Sequence, residues 1–242
     1  MLVFHGFGQD YEAFNWFSKS LAEKYTLYIF DLYFHGKSVW AHNEQPLEKH
    51  DWKETVVSFL KCHNIDEFSL AGFSLGGKFA LATLEAFPEK VMEIYLIAPD
   101  GIKTSFWHHL ATYPLAFRSL FKSMILHHNR FLWLARALNK LSLVDKGLIR
   151  FSEHQMSTEE KRRRVYYSWV VFRHLKFSVQ ALAKVINHHH IDVTVIVGKY
   201  DKVILPKNMD SFQKRLHRSQ LLILETGHNG LIDKAVEFIL KN

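Results

Sequence analysis

The chain has 242 residues, 48% of them hydrophobic and 23% charged, with a formal net charge of +7; this excludes general disorder and leaves room for one full α/β core or two small domains. A lone cysteine, Cys62, excludes an intrachain disulfide and is compatible with a reducing compartment. The apolar runs are short, and "MLVFHGFGQD" lacks the basic region, long apolar segment and cleavage site of a secretory signal, so a soluble, cytoplasmic protein is expected.

From the start, "MLVF" reads as a short strand, "HGFGQD" as a glycine loop, and "YEAFNWFSKSLAEKY" as a helix with Phe14, Phe17 and Leu21 at helical spacing. "TLYIFDL" is a buried strand that leads into the loop "YFHGKS". "LEKHDWKETVVSFLKCHN" is a helix with Trp52, Val56, Phe59 and Leu60 on one face, and Cys62 near its end reads as a half-buried small residue. Then come a strand "DEFSLAGF", a helix "LGGKFALATLEAF" stopped at Pro88, and a strand "VMEIYLIAP". Apolar strands alternating with helices predict a parallel sheet covered on both faces.

The alternation stops at residue 103. Helical patterns such as "LFKSMILHHNRFLWLARALNKL" continue to about 190 with no convincing strand, before "IDVTVIVG" and "QLLILETG" restore the strand pattern. The economical interpretation is a core of residues 1–102 and 191–242 with a helical insertion at 103–190. Charge marks the same segment: residues 103–191 hold 15 Lys and Arg against 4 Asp and Glu, and the rest of the chain holds 16 against 20.

"GFSLG" places Ser74 where a strand runs into a helix. A turn that sharp forces the serine into a strained backbone geometry, tolerated only if its neighbours two residues away lack side chains, which Gly72 and Gly76 do. The serine oxygen then lies at a strand's carboxyl end and a helix N-terminus, where developing negative charge is favoured. "VTVIVGKYDKVILP" places Asp201 just beyond one later strand and "LLILETGHNG" places His228 just beyond the next. In this order and position the residues resemble the α/β-hydrolase superfamily, in its branch of capped serine hydrolases. "HGFG" at 5–8 resembles that family's oxyanion loop, and "DLYFHGKS" at 31–38 its "D-x-x-G-H-G-x-S" loop, with Phe34 in place of the glycine.

The resemblance implies an α/β-hydrolase fold: a mostly parallel sheet with flanking helices, and a helical lid inserted between the family's strands six and seven. The family's sheet usually opens with an antiparallel hairpin before the oxyanion strand, and this sequence begins inside that strand, so either the hairpin is absent or the sequence is a truncated piece. It implies further that Ser74 attacks an acyl carbon, His228 acts as base and then acid, Asp201 orients the imidazole, and the N–H groups of Phe7 and Leu75 bind the oxyanion. Asp100, in "IAPDG" after the nucleophile helix, is the rival for the acid, since some members place it there. His5 is expected to bond its own loop rather than substrate.

An ester or thioester hydrolase acting on a small, anionic or neutral acyl substrate is the default function. One alternative is a carbon–carbon lyase or hydrolase similar to 2-succinyl-6-hydroxy-2,4-cyclohexadiene-1-carboxylate synthase, in which Lys78, four residues after the nucleophile, would take the basic residue's place; the bland reading of Lys78 is a lysine on the helix surface. Another is a non-catalytic binding protein on the same fold. The histidine pairs 108/109 and 127/128 and the triplet 188–190 lack metal-ligand spacing, so no metal and no cofactor is expected. No nucleic-acid motif accompanies the charge. "EEKRRRVYYSW" reads as a solvated, partly self-paired helix face, with a weak membrane-surface contact through the basic lid as the other reading. Oligomeric state is left open.

Overall fold

A computed structural model describes residues 1–103, 106–127, 129, 130, 133 and 156–241. Six strands, β1 (Leu2–Phe4), β2 (Tyr28–Phe30), β3 (Phe68–Phe73), β4 (Val91–Ile97), β5 (Asp192–Gly198) and β6 (Ser219–Leu224), form one sheet in the order β2-β1-β3-β4-β5-β6. Every adjacent pair is parallel, with Val3 opposite both Ile29 and Ala71, Leu96 opposite Val195, and Val195 opposite Leu221. Parallel pairing requires crossovers, and the intervening helices supply them.

Side-chain alternation then divides the core. Leu2, Phe4, Leu70, Ile94, Leu96, Val193 and Val195 point to one face, where α2 (Lys49–His63) and α3 (Gly76–Ala86) cover them with Trp52, Val56, Leu60 and Phe79. Val3, Ala71, Phe73, Tyr95, Ile97 and Ile196 point to the other, under Phe17 and Leu21 of α1 (Asn15–Leu21) and Leu231, Ala235 and Val236 of the C-terminal helix. The ends of α2 follow from its sequence: Glu48 and Asp51 make a capping box, and Asn64 closes the helix in the left-handed conformation. Cys62 is exposed on α2, which corrects the half-buried reading.

Between β4 and β5 the described residues contain helices and no strand: α4 (Phe106–Thr112), α5 (Leu115–Leu126), α6 (Glu159–Val171) and α7 (Val179–His188). Beyond α5, residues 128, 131, 132 and 134–141 of the helical pattern at 120–141 lie outside the described residues. Phe121 and Ile125 of α5 join Met156 and Val165, Tyr166 and Val170 of α6 in a cluster of their own, against which Phe7 packs. By contrast, α7 sends Leu182, Ala183 and Ile186 into the main core. A short helix α8 (Asp210–Gln213) precedes β6, and α9 (Leu231–Ile239) ends the fold. Among the described residues no helix is long and apolar enough to cross a membrane.

Candidate active site

Ser74 lies between β3 and α3 with φ +50°, in the left-handed region that costs a non-glycine residue about 1–2 kcal/mol. Backbone bonds hold it there. Its N–H donates to the Ile97 carbonyl at 2.9 Å, and its own carbonyl accepts from Gly77 at 2.8 Å and Asp100 at 2.9 Å. The glycines are needed for close approach: a Cβ at Gly72 would lie 2.7 Å from the Gly76 carbonyl oxygen, and one at Gly76 would fall on the Phe4 carbonyl. The absence of those side chains lets the start of α3 abut the end of β1, so the elbow and the "HGFG" loop are neighbours.

The loops after β5 and β6 bring the other two residues in. A Cβ at Gly198 would lie 2.5 Å from the Thr226 carbonyl; without one the two loops close on each other, with the Tyr200 N–H donating to Thr226 at 3.1 Å. Asp201 is buried, and His228 Nδ1 lies 2.6 Å from its Oδ2 while His228 Nε2 lies 3.0 Å from Ser74 Oγ. A carboxylate only accepts, so Nδ1–H donates to Asp201 and Nε2 presents its lone pair to the serine hydroxyl. The second carboxylate oxygen, Oδ1, accepts the N–H groups of Val203 at 2.7 Å and Ile204 at 2.9 Å. The Phe73 ring packs against the imidazole, centroids 4.9 Å apart.

Asp100, the rival acid, is engaged elsewhere. Its Oδ1 accepts the Gly101 N–H at 2.7 Å and its Oδ2 lies 3.1 Å from Lys78 Nζ. Lys78 is 8% exposed, which corrects the surface-lysine reading: it sits one turn beyond Ser74 on the face of α3 that packs against the Asp100 loop. The nearby His108 imidazole of α4 is pushed down to about 4, by burial first and then by the Lys78 ammonium.

Four side chains shape the loop that carries Phe7. His5 is fully buried; its Nε2 accepts the Leu32 N–H at 3.0 Å, so Nδ1 is the donor to the Gly6 carbonyl at 2.8 Å, and burial lowers its pKa. It therefore ties its own loop down, as its position suggests. Gln9 Oε1 accepts the Gly6 N–H at 2.9 Å. Asp31 accepts the N–H groups of Tyr11 at 2.9 Å and Lys37 at 3.2 Å, and Gly36, at φ +53°, leaves room for that carboxylate. His35 packs edge-on against Phe7, 5.3 Å between centroids, and burial pushes its pKa down to about 3. Phe34 adopts φ +69°, the conformation for which the resembling motif uses glycine, and its ring stacks on Tyr167 of α6 at 5.6 Å. Among the described residues the N–H groups of Phe7 and Leu75 donate to no protein acceptor. Gln9, Asp31 and His35 were not singled out from the sequence, although all three lie within or beside the quoted loop motifs.

A stretch of 102 residues is 31% identical to the dihydrolipoyllysine-residue acetyltransferase component of the acetoin cleaving system of Pseudomonas putida, covering 42% of this chain and 27% of that protein. A stretch of 106 residues is 28% identical to a Mycoplasma genitalium protein named as an esterase/lipase, covering 43% and 39%. The matches thus span well under half of either relative. Among solved structures, a thermophilic esterase from Thermogutta terrifontis superposes with a TM-score of 0.69 at 15% identity, over 99% of this chain and 87% of that one, a likeness of fold. The family model for the alpha/beta hydrolase fold matches residues 1–235. The chain belongs to the alpha/beta hydrolase fold family.

Proposed function

We propose that the protein is a serine hydrolase that cleaves a carboxylic ester or thioester of a small acyl substrate through an acyl-enzyme on Ser74. The observation that carries this reading is the pair of contacts made by one imidazole: Ser74 Oγ at 3.0 Å on Nε2 and Asp201 Oδ2 at 2.6 Å on Nδ1. Ser74 Oγ attacks the acyl carbon while Nε2 takes its proton, and the resulting imidazolium is stabilised by the Asp201 carboxylate. The oxyanion of the tetrahedral intermediate accepts the N–H groups of Leu75 and Phe7, donors each worth roughly 3–4 kcal/mol in comparable sites. His228 then gives its proton to the departing alkoxide or thiolate. Water repeats the cycle: His228 deprotonates it, it attacks the acyl-serine, and the proton returns to Ser74 as the carboxylic acid leaves.

In this reading, residues 103–190 supply the lid. Its α4–α6 part lies over the Phe7 loop and its α7 part is anchored in the core. The carbon–carbon cleavage reading needs Lys78 to meet a substrate carboxylate. Pairing with Asp100 at 3.1 Å already answers that charge, which supports the ester reading. Several lid cations are likewise engaged: Arg163 with Glu159, Arg164 with Glu160, and Arg162 with the carbonyls of Ile125 and Met156.

The test is turnover of short p-nitrophenyl esters and acyl thioesters by wild-type, S74A and H228A proteins. Esterase activity present in the wild type and lost in both variants is expected. A folded wild type inactive on every ester and thioester offered would remove the proposal in favour of the binding-protein reading.

A further inference from the structure

We infer that Phe73 is a positioning residue that holds the His228 imidazole by its face and couples it to the loop that carries Phe7. The inference rests on the hydrolase reading of Ser74 and His228. Two hydrogen bonds hold the imidazole at its edge, to Asp201 Oδ2 at 2.6 Å from Nδ1 and to Ser74 Oγ at 3.0 Å from Nε2. Small tips of the ring out of its plane leave those lengths nearly unchanged, yet they move Nε2 relative to the leaving group that it must later protonate. Orientation of that kind is worth orders of magnitude in rate. The Phe73 ring supplies the missing contact, with centroids 4.9 Å apart and ring planes 36° apart.

The support behind Phe73 is stiff. It is 3% exposed, at the end of β3, and strand alternation turns it to the same face as Leu231, three residues after His228. The same ring abuts Gly6, where a Cβ would lie 2.8 Å from Phe73 Cδ1 and 2.9 Å from Cε1. Gly6 is tied at both of its polar groups. Its N–H donates to Gln9 Oε1 at 2.9 Å, and its carbonyl accepts from Nδ1 of the fully buried His5 at 2.8 Å. One flat side chain therefore touches both the oxyanion loop and the base, and a displacement of either is passed to the other. A flexible aliphatic side chain would fill the same volume without a flat face to rest the imidazole on.

The experiment is turnover of p-nitrophenyl esters by wild-type, F73L, F73M, G6A and G6A/F73L proteins, with thermal unfolding as the control for folding. NMR of the His228 ring protons, assigned by their loss in H228A, gives a readout that needs no activity. F73L and F73M, which keep apolar bulk and lose the ring, lower kcat at least about tenfold with KM within about twofold, a loss of orientation rather than of ground-state binding. G6A, which presses a methyl on the ring, lowers kcat at least about fivefold in the wild type and less than about twofold further in F73L, where the side chain can turn aside. The His228 resonances move in F73L as the ring current of Phe73 is lost. F73L and F73M proteins that keep more than about half of the wild-type kcat, a loss confined to KM, or G6A and F73L effects that simply multiply overturn the inference. A folded wild type inert on every ester removes the hydrolase proposal instead. The spectra then decide alone: His228 resonances unmoved by F73L overturn the inference, and moved ones support it.

Discussion

Replacing Asp201 by Asn has an outcome that the hydrogen bonds around the carboxylate determine. Oδ1 accepts two backbone N–H groups, from Val203 at 2.7 Å and Ile204 at 2.9 Å, whereas Oδ2 faces His228 Nδ1 at 2.6 Å. Asparagine has one acceptor and one donor end, and the two fixed N–H donors hold the carbonyl at the Oδ1 position. Its NH2 must then face the imidazole. His228 can meet a donor there only as the other tautomer, with the proton on Nε2 and no lone pair toward Ser74 Oγ. The shape is kept and the general base is removed. A tautomer reversal of this kind lowers turnover about 10⁴-fold, or about 5 kcal/mol of transition-state stabilisation. The assay is kcat/KM on a p-nitrophenyl ester for wild-type, D201N and D100N proteins, with thermal unfolding as the control for folding. D100N is expected to retain more than about a tenth of the activity, because Asp100 pairs with Lys78 and not with His228. Activity that survives in D201N and collapses in D100N would refute the reasoning and give the acid's role to Asp100.

Other consequences follow from the same geometry. Gly76→Ala drives a methyl into the Phe4 carbonyl, whereas Gly227, just before His228, meets nothing nearer than 4.0 Å; G76A should cost more than about 2 kcal/mol by urea unfolding and G227A less than about 0.5 kcal/mol, and equal effects would contradict the packing. His35, held near 3 by burial, is neutral in the folded state while the unfolded state binds its proton below about 6.5. Its contribution is therefore complete above about pH 6.5 and is lost as pH falls toward 3, by about 2 kcal/mol at pH 5; H35N should flatten that slope in urea titrations, and parallel slopes would contradict the assignment. K78M should change the preference for anionic over neutral acyl esters by less than about threefold, because Asp100 already balances the charge; a loss of more than about tenfold would restore a carboxylate-binding role to Lys78.

Much of this site was legible in the sequence because its chemistry is carried by residues next to obligatory glycines. Gly72 and Gly76 around Ser74, and the apolar strands that end before Asp201 and His228, mark strand ends and turns by local rules, and parallel strands bring such ends to one edge. The choice between Asp100 and Asp201 was not local. It depends on Gly198, whose missing side chain lets the β5 and β6 loops meet, and on Lys78 claiming the competitor. Burial of Lys78 was equally hidden, since a lysine in a helix reads as solvent-facing until the Asp100 loop is seen to pack over it. Phe34 shows the same limit from the other side. The motif reports that a glycine is missing, but the reason a bulky residue is accepted at φ +69° lies in Tyr167, 133 positions later, on which its ring stacks.

The central claim, that His228 and Asp201 make Ser74 a nucleophile, is tested most directly by intact-mass spectrometry after exposure to a fluorophosphonate. The account predicts a single covalent adduct that maps to Ser74, is absent from S74A, and forms far more slowly in H228A and D201N. A folded wild-type protein that takes up no label, or takes it up at another residue, would contradict it.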